Sequence, residues 1–311
     1  MENGSHPFYF YLTMYKDQKN FRYIYFTLVL ILYLVILSMN TLIILVIFLE
    51  RALHQPMYIL IACLSVNSLY GSTGLLPKML ADLLLDTHAV SRPACFIQTL
   101  VILTYGAYEF TILTLMAYDR HVAICEPLKY HSIMTTRTLA IMVAVAFLYP
   151  LCAIGSNVSL AFQLPLCGNE LRKLYCSNWS VVQLSCIQTT MNNIVGITIT
   201  VVTVFLPLFF ILYSYIKILV ICQRSSSEFK RKALHTCLPH IVTFVNYSIA
   251  VFCEIIFSRY ELPDVVAVIL SLEFLIIPPV LNPLVYGFNF PEIHRRILLL
   301  LTSTKISMTS K

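Results

Sequence analysis

Charged and titratable side chains are scarce in this sequence, and several stand inside long apolar stretches. There a charge costs about 3 kcal/mol or more unless it is neutral, paired or facing water. Glu109, Glu254, Glu273 and His240 occupy such places, and Asp119 adjoins Arg120 at the end of another. A buried acid can hold a proton, accept hydrogen bonds from a neighbouring segment or meet a polar ligand, and an adjacent Asp–Arg pair can open and close as a charge contact. For Glu109 the competing reading is a carboxyl kept for packing alone, hydrogen-bonded to a neighbouring helix. For His240 it is a hydrogen-bonded packing residue rather than a metal ligand. Covalent chemistry has no motif behind it: there is no Walker loop, nucleophile elbow or HExxH pattern, and no C-x-x-C spacing for zinc. An enzyme is not expected, nor a metal or cofactor.

The elements that must position these residues follow from composition. Of 311 residues, 59% are apolar and 12% charged, the latter about half the share of a soluble domain. The apolar residues run in unbroken blocks that neither helical nor strand amphipathicity produces. A membrane-crossing helix needs about 20 such residues. Seven windows satisfy that ruler: Ile24 to Leu49, Met57 to Leu76, Phe96 to Tyr118, Leu139 to Leu160, Met191 to Ile216, Leu238 to Phe257 and Val265 to Phe288. The joints are short and polar apart from one longer loop at about 161–190, with no internal repeat. The fold class is therefore an all-α membrane protein, a seven-transmembrane helix bundle forming a single domain over 1–311. Residues 1–23 precede the bundle (24–288), and 289–311 form a short amphipathic helix and tail.

No cleaved signal peptide is expected, because 1–22 lack an apolar core followed by small residues. The net charge of +6 is scattered between spans, with no continuous basic face for nucleic acid. Of the 21 Lys and Arg, thirteen fall in the tail and in the loops after spans one, three and five, which places the N-terminus outside the cell. The sequons at Asn3 and Asn178 then face the oxidising, glycosylating side, and Asn3 is the expected glycan site. Cys95, Cys167, Cys176 and Cys186 share that side, and four thiols allow three pairings. Pro207, Pro239 and Pro283 each remove a helical hydrogen bond and leave a carbonyl that a neighbour must satisfy.

The stretch Met116-Ala-Tyr-Asp-Arg-His-Val-Ala-Ile-Cys-Glu-Pro-Leu-Lys-Tyr130 resembles the signature of vertebrate odorant receptors within the rhodopsin-like G-protein-coupled receptors. Other motifs fall in the family's order. They are Leu53-His-Gln-Pro-Met-Tyr58 before span two, Pro77-Lys78 at its end, Ser214-Tyr215 in span five, Lys232-Ala-Leu-His-Thr-Cys237 with His240, and Pro278-Pro-Val-Leu-Asn-Pro-Leu-Val-Tyr286 in span seven. The resemblance implies that Asp119, Arg120, Tyr215, His240, Asn282, Pro283 and Tyr286 carry G-protein coupling and activation. It implies the bridges Cys95–Cys176 and Cys167–Cys186, a plasma-membrane location, and as partners a small-molecule odorant, a heterotrimeric G protein and membrane lipids.

Helical spacing and the resemblance together place Thr99, Leu103, Gly106, Ala107 and Phe110 on an inward stripe of span three. The resemblance adds Tyr247, Val251 and Glu254 on span six as ligand contacts. Ile102 stands where amine receptors carry an Asp, and span seven has no Lys for a retinal Schiff base, so a small, partly apolar ligand is expected. Ser68, beside Asn67, replaces the acid used by related receptors in a sodium site, which puts sodium regulation in doubt. A rhodopsin-like receptor for a non-odorant small molecule, lipid or peptide is the alternative reading, and a transporter or channel a further one.

Overall fold

In the computed structural model the described residues are 7–15, 21–223, 226–257, 259 and 263–299, with the side chains at 229, 230, 232–236, 257, 264, 288 and 289 excluded. Asn3 and most side chains of the Lys232–Cys237 motif lie outside that set. Seven helices are long and apolar enough to cross a membrane. They are α1 (Arg22–Leu49), α2 (Pro56–Leu84), α3 (Arg92–Cys125), α4 (Thr136–Phe162), α5 (Thr190–Gln223), α6 (Ser227–Phe257) and α7 (Asp264–Asn289). A short α8 over 291–299 follows; it buries Ile293 while Glu292 and Arg295 are exposed, and Arg296 pairs with Glu50 at 3.1 Å.

The helices outrun the apolar windows, and at the bridged end of two of them the reason is visible. α2 continues past Pro77 to Leu84, and α3 begins at Arg92, because charges that a hydropathy ruler rejects are neutralised locally. Lys78 pairs with Asp82 one turn on and donates to the Ala89 carbonyl at 3.1 Å. Arg92 donates to the carbonyls of Phe162 and Leu164, satisfying the exposed C-terminus of α4.

The prolines explain two of the contacts that bind the bundle. Pro283 cannot donate to the carbonyl of Pro279, and the fully buried Asn40 of α1 donates to it instead, at 2.9 Å. Pro150 likewise frees the carbonyl of Ala146, which accepts from Thr111 of α3 at 3.0 Å. In α5 the backbone widens into a π-helical turn over Val201–Phe205 just before Pro207.

At the end of the bundle that carries the cysteine bridges, the structure adds a small sheet to the helices. β1 (Tyr9–Leu12) pairs antiparallel with β2 (Ala89–Ser91) and parallel with β3 (Glu170–Leu171). Phe10 and Leu12 turn inward and Tyr9 and Tyr11 outward. Its period-two pattern is too short to stand out in the sequence.

The interior is aromatic: Tyr105, Phe110, Tyr247 and Tyr286 are fully buried. Gly71 lets α2 approach Tyr105 so closely that a Cβ there would sit 2.3 Å from its ring. Gly71→Ala is accordingly expected to destabilise the bundle by about 1–3 kcal/mol, read as a lower melting temperature of solubilised protein. An unchanged melting temperature would mean that the α2–α3 contact has slack.

Candidate functional site

The lid of the bridged end is built first by covalent bonds. Cys95 at the start of α3 is joined to Cys176, and Cys167 to Cys186 within the long loop. Gln98 accepts from the Cys176 N–H at 3.0 Å and Thr99 donates to its carbonyl at 3.1 Å, so the loop is fastened across the bundle on both sides of the bridge. Tyr15 adds a bond to the Leu174 carbonyl at 2.9 Å.

Beneath this lid lies a cavity of about 170 Å³. Thr99, Leu103, Gly106, Ala107 and Phe110 of α3 line it. Tyr247, Val251 and Glu254 of α6 face them across the space. α5 supplies Gly196, Thr200 and Thr203, α7 supplies Phe274, and the lid supplies Tyr175 to Asn178. Sequence reasoning missed α4, which contributes Ile154 and Asn157. An amide in an otherwise apolar span was the available signal.

The walls are apolar and the polar groups stand at defined points. Glu254 accepts from Tyr175 at 3.1 Å and from Lys173 at 3.4 Å. Burial, then the adjacent Glu254 carboxylate, pushes the Tyr175 hydroxyl well above its ordinary pKa, so it remains the donor in this contact. At the floor, Tyr247 donates to the Gly106 carbonyl at 2.8 Å and packs against Phe110 and Phe274. A Cβ at Gly106 would lie 3.1 Å from Phe274 and 3.2 Å from the Tyr247 hydroxyl, so this close crossing depends on the missing side chain.

Asn178, a sequon asparagine, turns its Oδ1 into buried surroundings and lines the cavity. The residue is half-buried and lines the cavity, so a glycan on its Nδ2 would start against the cavity wall. Asn178→Gln is therefore expected to leave the glycosidase-sensitive gel shift of the expressed protein unchanged. Loss of a shift in that variant would contradict the placement.

One turn below the floor stands a polar junction. Glu109 is fully buried and accepts from Asn67 of α2 at 2.9 Å and from Asn282 of α7 at 2.7 Å. Asn67 also donates to the Tyr105 carbonyl at 3.1 Å. Asn282 thus makes its bond at the centre of the bundle. Glu273 accepts from Asn246 at 3.3 Å.

At the end opposite the bridges, Arg120 donates to Asp119 through Nε at 2.9 Å and through a second, shorter guanidinium contact. Tyr130, from the one-turn helix Tyr130–Ile133, donates to the other Asp119 oxygen at 2.7 Å. Burial and then this bond to Asp119 push the Tyr130 hydroxyl above its ordinary pKa. Tyr130 was within the motif but had no assigned role. His240 lies 3.2 Å from the Tyr286 hydroxyl, which also meets Thr243 at 2.9 Å. Tyr215 is buried, and Pro283 lies inside α7. Of the seven residues expected to carry activation, the structure thus joins Asp119 with Arg120 and His240 with Tyr286. Among the described residues no group of three or more His, Cys, Asp or Glu could hold a metal ion.

Residues 29–304 match the olfactory receptor family. The chain is 32% identical to human olfactory receptor 51I2 over 308 residues, covering 98% of this chain and 99% of that one. It is 36% identical to human olfactory receptor 51L1 over 270 residues, 86% of each. Over 272 residues it is 34% identical to the dog olfactory receptor-like protein OLF3, covering 86% and 85%.

Proposed function

The chain belongs to the olfactory receptor family, a family of G-protein-coupled receptors and not of enzymes, and from that premise we propose that it binds a small, partly apolar odorant in the cavity under the lid and activates a stimulatory, olfactory-type G protein. The bridged end faces outside and the Asp119 end the cytoplasm, in keeping with the Lys and Arg distribution and with disulfides in an oxidising compartment.

The observation that carries the reading is the apolar cavity whose floor is a hydrogen bond between two helices. Tyr247 of α6 is held to α3 by the Gly106 carbonyl. A ligand that presses on Tyr247 or Phe274 biases the position of α6, while the closed Asp119–Arg120 pair holds the resting arrangement at the far end. Signalling is then a population shift, driven only by the ligand's better fit to the active arrangement.

Leu103→Trp fills the cavity without touching the Asp119 end. In cells expressing the full chain it is expected to abolish cyclic AMP responses to an odorant panel while surface density stays near wild type. Wild-type sensitivity in that variant would remove the cavity from the reading.

A further inference from the structure

We infer that the cavity selects neutral ligands that carry a hydroxyl or comparable hydrogen-bond donor, and that Asn157 is the residue that reads it. The inference rests on the receptor reading above and names the ligand class of the same site.

Most of the hydroxyl donors on the cavity wall are already committed to protein acceptors. Thr99 donates to the carbonyls of Cys95 and Cys176, Thr200 to Gly196 at 2.8 Å and Thr203 to Ile199 at 2.7 Å. Tyr247 donates to Gly106, and Tyr175 to Glu254. Two lining residues differ. Asn157 Oδ1 on α4 and Asn178 Oδ1 on the lid are buried acceptors that meet no donor among the described residues. Asn157 is 6% exposed, and its oxygen lies opposite Gly196 on α5, where an added Cβ would touch it at 3.9 Å, so the missing side chain keeps that corner from being filled.

A buried acceptor without a donor is an unfavourable state that a donor-bearing ligand relieves. A site built around such a group rejects an analogue that lacks the donor more strongly than an apolar pocket rejects a missing methylene. Charge is disfavoured for the ligand because Glu254 is already paired with Lys173. Size follows from volume: about 170 Å³ is close to the roughly 150 Å³ that accepts a benzene ring. The class is therefore a phenol, or a short or cyclic alcohol, of about six to eight carbons.

The probes are hydroxyl compounds and their methyl ethers: 4-ethylphenol with 4-ethylanisole, and 1-heptanol with 1-methoxyheptane. Two readouts are taken on the full chain, cyclic AMP in cells and ligand-induced thermal stabilisation of purified receptor, the second independent of coupling. Each hydroxyl compound is expected to act at concentrations about tenfold or more below its ether. Asn157→Leu is expected to erase that difference. Gly196→Val, which closes the same corner from α5, should do the same and covers the case in which the first variant fails to fold. Ethers as potent as the hydroxyl compounds, or a preference that survives both substitutions, overturn the inference. Stabilisation without cyclic AMP upholds it and overturns the coupling reading. Responses confined to ketones or esters sink this inference and leave the receptor reading standing.

Discussion

Arg120→Ala is expected to abolish odorant-evoked cyclic AMP while leaving surface receptor close to the wild-type level. The guanidinium is held by its sequence neighbour Asp119, not by another helix, so its removal breaks no bond between spans. Asp119 keeps its bond from Tyr130, which ties the inner loop to α3. The coupling surface, by contrast, loses a planar, always charged donor that no smaller side chain replaces. Asp119→Asn should act in the opposite direction. It retains an acceptor for Tyr130 but weakens the hold on Arg120, a contact of the charged type worth about 1.5–3 kcal/mol. That corresponds to a shift of about tenfold to a hundredfold in the resting-to-active ratio, read as raised cyclic AMP without odorant. A silent Asp119→Asn with normal surface density would mean that the pair does not restrain the receptor.

Glu109→Leu is the substitution expected to cost most in folding. It strands the Asn282 amide donor and one of the two Asn67 N–H groups, the other keeping the Tyr105 carbonyl, in the middle of the bundle. Each unpartnered buried group costs about 1–3 kcal/mol, so the variant should be retained inside the cell and melt well below wild type after solubilisation. Glu109→Gln keeps one acceptor, and the unpartnered Oδ1 of Asn67 offers an acceptor to the new amide if that side chain flips. Its surface density should recover most of the loss. A Glu109→Leu receptor that reaches the surface and signals normally would show that the junction does not hold α2, α3 and α7 together.

The spans were legible because hydrocarbon imposes a length and an apolar composition that little else produces. Their ends were not, since Lys78, Asp82 and Arg92 read as exits from the membrane until their partners are seen. The same limit applies to the prolines. Pro283 announces an orphaned carbonyl, but only the structure identifies Asn40 as its donor, a residue 239 positions away from Pro279 in sequence. Glu109 stood out through the cost of its charge, and its partner Asn67 drew notice only as the neighbour of Ser68. Helical periodicity together with the family resemblance gave the α3 face of the cavity. Asn157 and the lid residues escaped it, because a contribution from α4 or from a loop depends on how helices pack and on where the Cys95–Cys176 bridge pulls the chain.

On the proposed function, occupation of the cavity drives nucleotide exchange through the Asp119 end. Purified receptor reconstituted in lipid nanodiscs with a stimulatory, olfactory-type heterotrimer tests it most directly, with the rate of guanine-nucleotide exchange followed as odorant is added. Odorant is expected to accelerate exchange on wild type, and on neither Leu103→Trp nor Arg120→Ala. Acceleration that survives both substitutions, or odorant that binds in the cavity and leaves the exchange rate of wild type unchanged, would contradict it.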